Sequence, residues 1–341
     1  MLNKKNQILL FFVLLLANAS YAQYRFLSIL FPPADSLITK YDTTKVDPKL
    51  DQLTLRLYSV YNGNEFLIKG ADETAVFSAN SKYRLGLGFG YRWLILNAAI
   101  VSPFSNRYNN SRGETFAVDV QMNTYSSRFQ TDLRFQWIDG YYKKSNNEVY
   151  LNLKNNSPFE IRQDLKLRSL GAGLSYTFNK NYLHKHGFDQ TKTMKKSGGT
   201  LLTGIRIGYL KVFTDSVLFK EGSNKSIQEL ISIYGGFSFG GAYTFLISKN
   251  WFFSIHGVVN ASLKKIDAKG HSISGNEKYK TNNFSFSPTI RSSFGYNSSK
   301  HFIGLYCILD NELNNKIGSN KIDYYFSTIK LIYAFRIKVT D

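Results

Sequence analysis

The segment Tyr83-Arg84-Leu85-Gly86-Leu87-Gly88-Phe89-Gly90-Tyr91-Arg92 decides the fold. Its odd positions are aromatic or aliphatic without exception, and its even positions are arginine or glycine. A period of two belongs to a β-strand, whose successive side chains point to opposite faces. One face therefore has to be withdrawn from water. The other carries charge at its two ends and no side chain between, as a crowded polar interior requires.

The same period recurs along the chain in segments of about ten residues, the pattern of a membrane barrel with lipid-facing and lumen-facing residues in turn. Phe116, Val118, Val120 and Met122 alternate with Ala117, Asp119, Gln121 and Asn123. Phe129, Leu133, Phe135 and Trp137 alternate with Gln130, Asp132, Arg134 and Gln136. Further on, Ile233, Phe237, Phe239 and Tyr243 oppose Ser232, Gly236, Ser238 and Thr244. Phe284, Phe286, Ile290 and Phe294 oppose Ser285, Ser287, Arg291 and Ser293, and Ile329, Leu331, Tyr333 and Phe335 oppose Lys330 and Arg336. A soluble β-sandwich would alternate too. Two features separate them: the aromatics gather at segment ends, and the polar face is rich in glycine, serine and asparagine. Composition agrees, with 16% aromatic residues, 23 Tyr and 27 Phe against only 6 Pro. Such residues favour strands and form the interfacial girdles of membrane barrels.

The N-terminus has Lys4 and Lys5, an apolar run from Ile8 to Ala17, then Ala19-Ser20-Tyr21-Ala22. This is the pattern of a secretory signal peptide, residues 1–22, cut after Ala22. The run is too short to span a bilayer as a helix, and no later stretch is long enough either. Residues 23–50, with Pro32-Pro33 and Pro48, read as a periplasmic arm, and residues 51–341 as the barrel. Cys307 is the single cysteine, so no intramolecular disulfide can form.

Short turns are expected near Arg92-Trp93, Tyr125–Ser127, Ser248–Asn250 and Asn297–Lys300. Long polar connections are expected at Pro103–Glu114, Tyr142–Gln163, Asp215–Gln228 and Lys264–Lys280. Their alternation gives roughly 12 strands, with short turns in the periplasm and long loops outside. Asn179–Gly198 departs from that scheme, as a long segment where a short turn belongs.

Several pieces of the chain occur in an order that resembles an outer-membrane family, domain of unknown function 4421. They are Leu53-Thr54-Leu55-Arg56-Leu57-Tyr58, Asn80, Leu85-Gly86-Leu87-Gly88-Phe89-Gly90-Tyr91, Tyr176-Thr177-Phe178-Asn179 and Lys195-Lys196-Ser197-Gly198-Gly199. Gly241-Ala242-Tyr243-Thr244 and Gly295-Tyr296-Asn297 follow. The resemblance covers almost the whole chain after residue 22. It implies a location and a fold, and supplies no catalytic residues.

Constellations of reactive residues are sparse. Gly236-Phe237-Ser238-Phe239-Gly240 matches the nucleophile-elbow pattern, but that motif needs a strand-to-helix turn, and here alternation runs straight through it. His256, with Asn260 four residues on, faces the polar side of the next strand. If the hairpin turns at Ser248-Lys249, Ser238 lies opposite Asn260 and His256 opposite Ala242, about 14 Å apart at ~3.4 Å per residue. That is no dyad. His184 and His186 sit among lysines with only Asp189 near, a poor site for a cation. No metal or other cofactor is expected.

The formal charge is +19. Export makes nucleic acid an improbable partner, leaving outer-membrane lipid, lipopolysaccharide, the barrel-assembly machinery and a small anionic solute. By alternation Arg84, Arg92, Arg134, Arg206, Arg291, Lys330 and Arg336 project into the lumen, against Asp119 and Asp132. The expectation is an up-and-down transmembrane β-barrel with a basic, largely filled lumen and a structural or binding role. A narrow anion channel and a lipid-modifying hydrolase are the alternatives.

Overall fold

The computed structural model describes residues 46–47, 52–70, 74–80, 83–91, 94–101, 112–125, 128–144, 160–179, 193–221, 225–272, 275–318 and 320–339. The signal peptide with its cut after Ala22, most of the arm, Arg92, His184, His186 and Asp189 lie outside them.

The strands are β1 (Val46–Asp47), β2 (Gln52–Lys69), β3 (Thr74–Ser78), β4 (Tyr83–Tyr91), β5 (Leu94–Val101), β6 (Phe116–Tyr125), β7 (Phe129–Lys144) and β8 (Glu160–Thr177). Then come β9 (Thr193–Met194), β10 (Gly198–Phe213), β11 (Phe219–Glu221), β12 (Lys225–Leu246), β13 (Trp251–Ser272), β14 (Gly275–Asn297), β15 (His301–Ile317) and β16 (Asn320–Lys338). Twelve form a closed antiparallel ring in the order β2-β4-β5-β6-β7-β8-β10-β12-β13-β14-β15-β16 and back to β2. Closure removes the sheet edges that lipid could not satisfy. The fold is an all-β, up-and-down barrel of the outer-membrane type.

The end of the ring bearing the bends after β12 and β14, near Ser248–Asn250 and Ser298–Lys300, is called lower here. Over the lower and middle wall the apolar residues point out, among them Leu55, Leu57, Leu85, Leu87, Phe237, Phe239, Phe286, Leu331 and Tyr333, all exposed. On β12 this face runs from Ile233 to Phe245, about 40 Å of strand at ~3.4 Å per residue. Tilted by the ~40° usual in barrels, that is close to the hydrocarbon thickness of a bilayer.

Higher up the polarity inverts. Phe66, Ile68, Ile138, Leu165, Leu167, Leu210, Val212, Leu230, Ile266, Ala268, Tyr324 and Phe326 pack into one buried cluster inside the bore. Lys166, Arg168, Lys211, Lys265 and Lys269, next to them in sequence, face outward. The sequence expectation of a long polar connection at Lys264–Lys280 is corrected by this inversion. Most of that stretch is strand, with β13 running to Ser272 and β14 starting at Gly275. Likewise Asp215–Gln228 contains β11 and the first residues of β12.

Two irregularities shape the upper wall. β3 pairs with the top of β2 and also with β7, bridging above the short strands β4, β5 and β6. The join is tied by Asn80, whose backbone N–H donates to the Thr115 hydroxyl at 2.8 Å, and by that hydroxyl, which donates to the Gly140 carbonyl at 2.8 Å. Gly140 marks the bulge in the β7–β8 pairing and has a φ of 91°, where a side chain would be strained. In addition, β14 pairs with β15 only from Thr289 down to Asn297. Pro288, which has no N–H to donate, stands where that pairing stops.

Below the ring, β1 pairs with β9, Val46 opposite Met194 and Asp47 opposite Thr193. Met194 is buried against Leu202 and Ala242 of the inner wall. Residues 193–198 of the Asn179–Gly198 segment are thus anchored both to the arm and to the lower mouth.

Candidate functional site

Read upward along the inner face, β13 presents Phe252, Ser254, His256, Val258, Asn260, Ser262, Lys264 and Ile266, all but Val258 buried. β16 presents Ala334, Ile332, Lys330, Thr328 and Phe326. On both strands a polar belt lies between two apolar zones. The upper zone is the cluster built on Phe66 and Phe326. The lower one contains Phe252 and Phe302, with ring centroids 6.0 Å apart, together with Ala334 and Ile332.

The belt surrounds a cavity of about 140 Å³ lined by Arg56, Asp132, Arg134, Arg206, His256, Asn260, Thr289, Arg291 and Lys330, among others. Its charged residues reach across the bore to distant strands. Arg206 on β10 meets Asp310 on β15 at 2.8 Å, and Asp310 also accepts from the Thr289 hydroxyl at 3.0 Å. Asn260 donates in turn to the Thr289 hydroxyl at 3.0 Å and to the Ser287 carbonyl at 2.9 Å. Arg291 on β14 lies 3.8 Å from Asp132 on β7. Lys330 on β16 donates to Gln121 on β6 at 2.9 Å. The Arg134 guanidinium stacks over the Phe326 ring, 4.1 Å from its centroid. Arg206–Asp310, Arg291–Asp132, Lys330–Gln121 and Arg134–Phe326 each join strands that are several places apart around the ring, so these four contacts are struts, while Asn260, Thr289 and Asp310 are linked between neighbouring strands.

The remaining residues singled out from sequence are placed differently. Arg84 is fully buried beside Asp119, at 3.9 Å, while Asp119 accepts from Gln136 at 3.0 Å. Arg336 stands at the lower rim, donating to the Ser298 carbonyl at 2.6 Å and to Asn297 Oδ1 at 2.7 Å, and so holds the β14–β15 turn. Ser238 pairs with Asn260 and His256 with Ala242 in the β12–β13 register, so the two side chains share no position from which one could activate the other. No cluster of metal-ligating side chains exists among the described residues.

Sequence reasoning missed Arg56, Lys264 and Asp310 on the inner wall. Arg56 alternates with exposed Leu55 and Leu57 and was readable. Asp310 was not, because Ile303-Gly304-Leu305-Tyr306-Cys307-Ile308-Leu309 is apolar on both faces. Lys264 opens the stretch whose clustered charge reads as a connection. With Lys264 and Asp310 included, the belt and the Arg84–Asp119 site beside it hold Arg56, Arg84, Arg134, Arg206, Lys264, Arg291 and Lys330 against Asp119, Asp132 and Asp310, seven bases to three acids among the described residues.

A family model described as "Domain of unknown function (DUF4421)" matches residues 40–336. No curated protein matches the chain in sequence. Among solved structures, the chain is similar to the outer membrane protease OmpT from Escherichia coli, with 6% identity and a TM-score of 0.42 over 88% of this chain and 99% of that one. It is also similar to the transport unit of the autotransporter AIDA-I from Escherichia coli, with 11% identity and a TM-score of 0.37 over 93% and 98%. The COG4313 outer membrane channel from Pseudomonas putida F1 has 10% identity and a TM-score of 0.29 over 88% and 100%. Likenesses at this level carry no argument about activity.

Proposed function

This chain belongs to the DUF4421 family, and on that footing we propose that it is an integral outer-membrane barrel with a structural or binding role, its bore braced rather than open. Export would follow from the signal peptide ending at Ala22, with the short turns of the lower end in the periplasm. The observation that carries the reading is the set of cross-bore struts, Arg206–Asp310, Arg291–Asp132 and Lys330–Gln121, lying between two apolar zones. Buried ion pairs cost desolvation that is recovered only with good geometry and further hydrogen bonds. A bore built for flow would have no use for struts across its middle.

The excess of bases over acids in the belt gives this interior a chemistry as well. Guanidinium groups around a small cavity favour a compact anion with oxygen acceptors. The ligand class of a binding role is therefore a small oxyanion, reaching the chamber by local opening.

Conductance of the purified barrel in a planar lipid bilayer tests the reading. The expected record is quiet, without steady steps at moderate salt. A steady open level would overturn the closed bore. If that level were anion-selective by reversal potential, and Arg134→Gln with Arg291→Gln weakened the selectivity, the protein would be an anion channel instead.

A further inference from the structure

The outer wall carries a second feature, independent of the bore. Across β7, β8, β10, β12, β13 and β14 the pairing registers set outward-facing residues in rows. The top row reads Asp139, Lys166, Phe213, Glu229, Lys269 and Lys278. The next reads Trp137, Arg168, Lys211, Ile231, Asp267 and Lys280, and the third Phe135, Leu170, Tyr209, Ile233, Lys265 and Asn282. The fourth is Leu133, Ala172, Ile207, Gly235, Leu263 and Phe284. Charge gives way to hydrocarbon within two rows, and the boundary slips down one row between Ile233 and Lys265, as strand tilt requires.

Over β7 to β12 the charges are matched. Arg168 pairs with Asp139 at 2.6 Å while stacking on Trp137, and Lys211 and Lys269 both pair with Glu229 at 2.6 Å. Over β13 and β14 lysines outnumber carboxylates. Asp267 stands opposite Lys280 in the register, yet Lys265, Lys278 and Lys280, all exposed, have no ion pair within 4.0 Å among the described residues. Lys280 is the diagonal neighbour of Lys265, a separation of about 7–8 Å that two long side chains close easily onto one phosphate. Directly below them a groove crosses the wall, with Ala172 and Gly235 as its floor and Ile207, Leu263 and Phe284 among its sides. Gly235 leaves the depression open, since a Cβ there would meet only ordinary contact, Ile207 Cγ2 at 3.6 Å.

We propose that this arc binds an anionic outer-leaflet lipid, its phosphate held by Lys265 and Lys280 and an acyl chain laid in the groove over Gly235. Charge complementarity and the groove's place at the polar–apolar boundary both select a lipid. A soluble phosphate would use the lysines and leave the groove idle. A second barrel copy would have to oppose the same three unpaired lysines to their own kind.

The test reconstitutes the full barrel in phosphatidylcholine nanodiscs doped with diphosphoryl lipid A and counts retained lipid by native mass spectrometry. Wild type is expected to hold the phosphorylated lipid in preference to its dephosphorylated form. Lys265→Gln with Lys280→Gln should lower retention by about fivefold per lysine, and inorganic phosphate in millimolar amount should not compete. Gly235→Leu, which fills the groove and keeps both lysines, should weaken retention too. Heat-dependent gel migration reports folding of each variant, and should the lysine pair misfold, the groove variant decides. Equal retention of both lipid forms, unchanged retention in the variants, or a cross-linked dimer through Gly235→Cys would each overturn the proposal. None of these readouts depends on whether the bore conducts.

Discussion

Arg206 and Asp310 stand on β10 and β15, with β12, β13 and β14 between them, yet their side chains meet inside the barrel at 2.8 Å. The pair joins walls that backbone hydrogen bonds do not connect directly. Removing one partner of a buried pair strands the other, typically at a cost of about 3–5 kcal/mol. Arg206→Gln and Asp310→Asn should each lower the denaturant midpoint of the barrel refolded in lipid vesicles. The double variant should lose clearly less than the two losses added. Strict additivity would mean that the strut is not formed.

Gly140 gives a backbone test. Its φ of 91° and the carbonyl of Glu114 facing it leave no room for a side chain. Gly140→Ala should destabilise the barrel by about 1 kcal/mol or more, and Thr115→Val, which removes the hydroxyl bridging Asn80 to Gly140, should destabilise it in the same direction. Thermal unfolding in detergent measures both. An unchanged melting temperature for Gly140→Ala would show that the bulge takes another conformation.

Tyr58 and Gly86 are cross-strand partners, and the tyrosine ring fills the space where a Cβ on Gly86 would sit. Gly86→Ala should therefore be destabilising on its own, and less so when combined with Tyr58→Ala, which vacates that space. The sign of the coupling is the result to watch. A penalty for Gly86→Ala that Tyr58→Ala leaves untouched would place the ring elsewhere.

The apolar cluster of the upper bore makes a claim that joins stability to flow. Ile266 is fully buried there, between Lys265 and Asp267 that face outward. Ile266→Asn leaves a buried amide in an apolar cluster, a change of the class that costs several kcal/mol. If the cluster is the upper seal, the same variant should also show transient conductance steps that wild type lacks. Destabilisation without any conductance would leave the struts as the sole seal.

The proposed orientation, upper end outward, can be read with two cysteines. Cysteine at Lys269 in a Cys307→Ser background should react with a membrane-impermeant thiol reagent on intact cells, and cysteine at Lys249 should not. The opposite pattern would turn the barrel upside down.

The fold was legible wherever one rule of polarity held. In Tyr83–Tyr91 and Phe129–Trp137 lipid lies outside and polar groups inside, and alternation alone gives strand, facing and the inward arginines. Two kinds of stretch defeated it. In Ile303–Leu309 both faces are apolar, so Asp310 could not be assigned a side. In Lys264–Lys280 the alternation persists with its sign reversed above Lys264, Ile266 and Ala268 inward and Lys265 and Lys269 outward, and a rule that equates clustered charge with a loop discards two strand ends. The struts were beyond reach for a different reason. Alternation says which way Arg206 points, whereas its partner is fixed by the girth and register of the ring, which only closure determines.

With the upper end facing outward as proposed, the reversed zone has a consequence for recognition from outside the cell. Above the lipid boundary this protein is built like a water-soluble barrel, with apolar packing within and ion pairs such as Lys211–Glu229–Lys269 without. What an antibody or a phage would meet there includes strand faces held in register across six chain segments, beyond the loop tips alone. Such epitopes are conformational. Sera raised against the folded barrel should lose much of their binding when the antigen is boiled, and short peptides copied from Lys264–Lys280 should fail to compete for them.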